Sequence, residues 1–295
     1  MTNNPQQELR DLKLDKEFFI GIDSDGCVFD TMEIKQKECF CPNLIKYFEL
    51  QRISKYVRET WEFANLYSKT RGANRFITVI ETMKLLADRK EVKARNFTTP
   101  NIQSIIEWVE KETKLGNPAL EKYAATVNDE MIDLLLKWSK QVNADIADMV
   151  YGIAPFPHVE DCLKVITAKA DSIVVSQTPV EALTREWEEN DIKKYVKIIA
   201  GQEYGTKTEH LALAAKGKYP DDKILMIGDA PGDLKAAKSN GVLFYPINPG
   251  HEEDSWERLK NEGLDRFFNR EYQGVYEDNV IAEFHGYLPE LPPWK

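Results

Sequence analysis

Cysteine is scarce and scattered. Cys27, Cys39, Cys41 and Cys162 are the only four in 295 residues, too few and too irregularly spaced for a disulfide framework in a chain of this length. A reducing compartment is the expectation. Cys39 and Cys41 have no second pair that would complete a tetrahedral metal site, and His158, His210, His251 and His285 show no metal-ligand spacing. Long apolar runs are also missing: nothing approaches the roughly 20 residues needed to cross a bilayer. The segment from Met1 to Lys16 is polar and charged, without the apolar stretch of a signal peptide. These absences predict a cytoplasmic protein that does not engage a membrane. A surplus of basic residues is lacking as well. Lys and Arg number 39 against 49 Asp and Glu, a net charge of −10, which argues against a nucleic-acid or anionic-lipid surface. Any anionic ligand must be held by a local cluster.

What the chain does contain is an ordinary globular balance, 42% hydrophobic and 30% charged residues, at a length that predicts a core plus a second domain. Phe18–Ile22 is a short apolar run that stops abruptly at Asp23-Ser24-Asp25-Gly26. Ser172–Val175 stops at Ser176-Gln177-Thr178-Pro179, and Val196–Ala200 follows a charged helical stretch. Ile224–Ile227 stops at Gly228-Asp229, and Val242–Tyr245 makes a fifth run. Apolar runs of this length, alternating with helix-length segments, predict a parallel sheet covered on both faces.

The interval between the first and second runs is different. Phe76, Val79, Ile80, Met83 and Leu86 recur at three- and four-residue spacing, and Met131, Leu134, Leu135 and Trp138 do so within Leu120–Val142. Thr98-Thr99-Pro100 and Gly116-Asn117-Pro118 break the region into several helices. Its exit is marked by Gly152–Pro157, whose two prolines disfavour helix. The expected organisation is an α/β core formed by residues 1–31 and 152–295, with an α-helical domain inserted over residues 32–151. The stretch after Asp265 is expected to wrap the core.

In an open parallel sheet, residues just past the strand ends share one crevice. The first run delivers Asp23 and Asp25 there, the second Ser176 and the adjacent Gln177, the region after the third Lys207, and the fourth Asp229 and Asp233. Of two neighbouring carboxylates, one can attack phosphorus while the other exchanges a proton with the leaving group. Gly26 permits the sharp turn between them and the next element. Asp229 and Asp233 add oxygen ligands suited to Mg²⁺. Lys207 supplies a positive charge and Ser176 a hydroxyl donor to a phosphate oxygen.

This ordered set resembles the haloacid dehalogenase-like hydrolase superfamily. The first family motif, Asp-x-Asp-Gly-x-x-x-Asp after an apolar strand, is matched by Asp23 to Asp30; the second by Ser176; the third by Lys207; and the fourth, Gly-Asp-x-x-x-Asp, by Gly228 to Asp233. The resemblance implies a Rossmann-like core, a helical cap of the C1 type in the insertion, and Mg²⁺ held by Asp23, Asp25, Asp229 and Asp233. It also implies an aspartyl-phosphate formed on Asp23, with Asp25 as general acid and base. Cys27 stands where the family commonly has Thr, and no proline follows Lys207, which leaves Lys193, Lys194 and Lys197 as alternatives for the third motif.

Family dehalogenases and phosphonate-cleaving relatives lack the second aspartate of the first motif, so Asp25 points to phosphate esters. A phosphatase acting on a small phosphorylated metabolite is the expected function, with a sugar phosphomutase or a non-catalytic phospholigand-binding protein as alternatives. An enclosing cap predicts a small-molecule substrate. Within the insertion, Tyr67–Arg75 is a local basic, glycine-containing turn in an acidic protein, and Arg71 or Arg75 is the candidate substrate contact.

Overall fold

The computed structural model describes residues 4–295; Met1–Asn3, which the expected core included, lie outside the described residues. The chain divides into two compact units. One comprises the chain up to Met32 together with Gly152–Leu288, the other Glu33–Tyr151 together with Pro289–Lys295.

In the first unit the apolar runs pair into one parallel sheet of five strands: β1 (Phe18–Ile22), β2 (Ala170–Val175), β3 (Ile198–Ala200), β4 (Ile224–Gly228) and β5 (Leu243–Pro246), in the order β3-β2-β1-β4-β5. This is the expected Rossmann-like α/β arrangement. Every strand residue is buried, as a sheet covered on both faces requires. The two-residue period of a strand sends alternate side chains to opposite layers. Phe18, Ile20, Ile22, Val174, Leu225, Ile227 and Tyr245 pack with Val159, Leu163, Leu183 and Trp187 from the Val159–Lys169 and Val180–Glu189 helices. Phe19, Ile173, Val175, Met226 and Phe244 pack on the other face with Leu211, Ala214, Ala236, Ala237 and Phe284.

The third strand is shorter than its apolar run. Lys193–Tyr195 forms a 3-10 turn, and Lys197, though its backbone N–H reaches Ser172 at 2.8 Å, turns its side chain to Asp171 at 2.6 Å. Only Ile198–Ala200 enters the ladder.

Register brings the chemistry together. Ile22 sits opposite Val174 on one side and Ile227 on the other, so the residues that follow β1, β2 and β4 emerge at one edge. The chain builds outward from β1 to β3, then returns to place β4 on the other side of β1. That reversal opens a crevice at the carboxyl ends of β1 and β4.

The second unit is helical around its own core. Asn74 caps the Arg75–Asp88 helix by accepting the Phe76 N–H at 3.0 Å, and the predicted stripe Phe76, Val79, Ile80, Met83 and Leu86 is buried. The Leu120–Val142 stretch is two helices, Asn117–Ala124 and Glu130–Met149. Asp129 starts the second by accepting the N–H groups of Met131 and Ile132 at 2.9 and 3.0 Å. Trp61, Trp138 and Phe40 form the centre of this core, with ring centroids 6.0–6.1 Å apart. Among the described residues no helix is long and apolar enough to cross a membrane.

The expectation that everything from 152 to 295 belongs to the α/β unit is corrected at its end. Pro289–Lys295 packs with the helical unit because Trp294 finds aromatic and cationic partners there: Phe63 at 5.6 Å edge-on and the Arg89 guanidinium 4.2 Å over its ring. Arg89 is itself buried, lies 4.7 Å over Tyr56 and pairs with Glu59 and Glu91.

Two outcomes test this account. Trp294→Ala is expected to cost the helical unit about 2 kcal/mol, below the range for a fully enclosed tryptophan because Trp294 is half-buried. It should also speed amide exchange across residues 289–295; unchanged exchange would show that other contacts hold the segment. The second concerns His210, whose side chain is buried. Burial first, then the neighbouring Lys207 charge, push its pKa from 6.5 down to about 4, against smaller opposing effects of the Gly205 backbone, Glu209 and the Gly201 backbone. The depressed pKa means that the unfolded chain binds a proton the folded chain refuses. The stabilising contribution is therefore complete above pH 6.5 and is lost as pH falls toward about 4. His210→Leu should flatten that part of the stability-pH curve in denaturant titrations, and an unchanged slope would refute it.

Candidate active site

Asp23 is the first residue past β1. Its backbone N–H continues the ladder to Ile227 O at 2.9 Å, and the Ser24 N–H donates to its Oδ1 at 2.8 Å. The loop then closes on itself: the N–H groups of Cys27, Val28 and Phe29 converge on Ser24 O at 3.2, 2.9 and 3.2 Å. Gly26 makes this possible at φ +76°, a conformation that costs an L side chain energy.

Lys207 Nζ donates to Asp23 Oδ2 at 2.7 Å and to Asp233 Oδ1 at 2.6 Å. Its place is set by a helix start. Lys207 is the first residue of Lys207–Ala214, and Thr206 and Glu209 form a reciprocal capping box ahead of it. Lys193 and Lys194 instead pair with Glu188 and Asp191 in exposed positions, and Lys197 with Asp15 and Asp171. Of the four candidate lysines, the fold brings Lys207 to Asp23.

Asp229 follows β4, and Asp233 lies in the first turn of the Pro231–Asn240 helix, its Oδ2 accepting the Ala230 N–H at 3.0 Å. A Cβ at position 228 would fall 2.4 Å from the Asp233 side chain, so Gly228 is required for Asp233 to turn in. Asp23, Asp229 and Asp233 each present a carboxylate oxygen, all within 4.8 Å of one another and all buried. Asp25 does not join them. Its carboxylate accepts the Thr31 hydroxyl at 2.5 Å and the Thr178 hydroxyl at 2.6 Å. Two hydroxyl donors hold it apart from the acidic group.

Electrostatics follow from this crowding. Burial first, then Asp233 and Asp229, raise the Asp23 pKa well above the usual carboxylate value, with Lys207 opposing. Burial works against the charge on Lys207, yet Asp23 and Asp233 more than offset it and hold its pKa above that of an ordinary lysine. Lys207 pairs with two of the three buried carboxylates, Asp23 and Asp233. A hard divalent cation fits this donor set: it takes oxygen ligands and would offset the repulsion among the three carboxylates.

Ser176 follows β2, buried, with its N–H on Ala200 O at 3.0 Å. Its Oγ accepts the Thr178 N–H at 3.2 Å, which leaves its own proton to donate. Gln177 is exposed, and its amide donates to Gly205 O at 2.9 Å and to Ser176 O at 3.2 Å. Arg71 and Arg75 lie in the helical unit. Arg71 is buried and donates to Leu66 O at 2.9 Å. Arg75 Nη1 donates to Ser139 Oγ at 3.1 Å and Asn143 Oδ1 at 2.7 Å, and the guanidinium stacks 4.8 Å from Phe40. Burial lowers its pKa to about 10.

Several residues of this neighbourhood escaped the sequence reading. Thr31 and Thr178 carry no motif of their own. Trp187 and Trp256 are both buried, and their indole N–H groups hold the motif loop: Trp187 donates to Ser24 Oγ at 3.0 Å and Trp256 to Cys27 O at 2.8 Å. A signal was available in Ser24, a hydroxyl between two carboxylates directly after a buried strand, which needs a partner once buried.

The family model described as haloacid dehalogenase-like hydrolase matches residues 73–246, more than half of the chain. No curated protein sequence matches this chain closely enough to define a relative. Solved structures similar to it include a haloacid dehalogenase-like family hydrolase from Streptococcus pneumoniae, at 13% identity and a TM-score of 0.45 over 90% of this chain and 98% of that one. CbbY from Rhodobacter sphaeroides, solved in complex with phosphate, is 18% identical at a TM-score of 0.44 over 85% of this chain and 99% of that one. The assignment rests on the family match, which spans the strand ends carrying Ser176, Lys207, Asp229 and Asp233: this chain belongs to the haloacid dehalogenase-like hydrolases.

Proposed function

We propose that this hydrolase is a Mg²⁺-dependent phosphatase that cleaves a small phosphate monoester through an aspartyl-phosphate on Asp23. The observation that carries the reading is the division of labour between two carboxylates two residues apart. Asp23 is buried against Lys207 at 2.7 Å, while Asp25 is held by two threonine hydroxyls outside the acidic group. A group fixed in that way suits proton exchange, and one paired with a lysine at a strand end suits attack.

In the first step an Asp23 carboxylate oxygen bonds to phosphorus as the ester P–O bond breaks, and Asp25 gives its proton to the departing oxygen. In the second, Asp25 takes a proton from water as that water attacks phosphorus, and inorganic phosphate leaves with the Asp23 carboxylate restored. Lys207 neutralises charge on Asp23 and on the transferring group, and Ser176 donates its hydroxyl to a phosphate oxygen. Gln177, beside Ser176, is a further candidate substrate contact. Asp23, Asp229 and Asp233 would hold the Mg²⁺, which supplies charge neutralisation of the phosphate and of the ligand carboxylates. Arg71 or Arg75, both within the Tyr67–Arg75 segment, is the candidate for substrate selection.

Phosphate release from a panel of small esters, with and without Mg²⁺, tests the reading. Asp23→Asn should lower turnover by at least about 10³-fold, as expected for a covalent nucleophile. Turnover that survives the substitution would show that Asp23 is not the nucleophile, and no turnover in either protein would favour a mutase or a binding role. For substrate choice, Arg71→Ala should raise KM for the best ester by about 10-fold while leaving a small aryl phosphate nearly unaffected; equal effects on both would exclude Arg71 from selection.

A further inference from the structure

Ser24 occupies the position between the two carboxylates, is fully buried, and is polar where the end of an apolar strand would accept an apolar side chain. Its hydroxyl is committed in both directions. It accepts the Trp187 indole N–H at 3.0 Å and donates to the Glu186 carboxylate at 3.1 Å. Its carbonyl takes the N–H groups of Cys27, Val28 and Phe29. An indole N–H, a hydroxyl and a carboxylate in series polarise one another, and the terminal charge strengthens the chain. A hydroxyl that both accepts and donates has a single favoured rotor, so it fixes the loop in direction where an apolar side chain would only fill the space.

Trp187 is placed to do this. It sits in the Val180–Glu189 helix, is fully buried, and packs edge-on against Phe29 of the same loop, with centroids 6.0 Å apart and planes at 82°. Thr178, two residues before that helix begins, is one of the two hydroxyls on the Asp25 carboxylate. The helix and its leading turn therefore grip Ser24 and Asp25 together.

We infer that Trp187 is a positioning residue which, through Ser24, sets the orientation of Asp25 relative to Asp23. Trp187 meets no reacting atom. Its contribution appears where the departing oxygen must receive a proton, since a small misplacement of a proton donor is costly when protonation limits bond cleavage. This inference rests on the phosphatase reading above.

The test uses the full chain and two esters, an alkyl phosphate whose departing alkoxide needs a proton and p-nitrophenyl phosphate whose phenolate does not. Trp187→Phe keeps a ring against Phe29 and deletes the N–H; Ser24→Ala deletes the hydroxyl and keeps the loop backbone. Each should lower kcat/KM for the alkyl ester by about 10-fold and that for the aryl ester by no more than about 2-fold. The double variant should be no worse than the poorer single one, because both remove the same link. Equal losses on both esters, no loss on either, or additive losses would overturn the inference while leaving the phosphatase reading intact. Should Trp187→Phe fail to fold, Ser24→Ala decides by the same ratio. A native protein inactive on both esters would overturn the phosphatase reading, and this inference with it.

Discussion

Three carboxylates, Asp23, Asp229 and Asp233, are held buried within reach of one another, and Lys207 pairs with Asp23 and Asp233. Such a group opposes its own assembly, since burial and mutual repulsion both disfavour the charged forms. It persists because none of its members can move away without breaking something larger. Asp23 continues the β1–β4 ladder through its own N–H, Asp233 is tied to the start of its helix through Ala230, and Lys207 stands at a helix start fixed by a capping box. Gly228 keeps open the space that Asp233 occupies.

Those anchors depend in turn on the sheet. Five strands buried on both faces leave no freedom of register, because a one-residue slip would exchange the two apolar layers. Fixed register is what makes the residues after β1, β2 and β4 emerge level. The reversal of strand order between β1 and β4 then leaves the crevice uncovered by a crossover connection. The sheet supplies position, and the loops beyond it supply chemistry.

The helical unit solves a separate problem. Its core is built on Trp61, Trp108, Trp138, Phe40 and Phe76. Two of its arginines are accommodated differently. Arg89 lies between Tyr56 and Trp294 and is paired with carboxylates, while Arg75 is solvated by neutral oxygens and an aromatic face, at the expense of a lowered pKa.

The amino-acid sequence alone determined the strands, the helical nature of the insertion and the list of residues past the strand ends. Each of these is a local pattern: an apolar run halted by a polar turn, or a stripe at helical spacing. Tertiary structure decided what those residues face. Lys207 and Asp23 are 184 positions apart, and Trp187 and Ser24 163 apart, so neither pairing leaves a trace in periodicity. The same holds for the separation of Asp25 from the acidic group, which depends on Thr178 arriving from the end of another strand. It holds too for Pro289–Lys295, whose affiliation follows from an indole finding an aromatic and a guanidinium partner. Local sequence sets where a side chain leaves the backbone; only the folded chain sets the charge, hydroxyl or ring it meets.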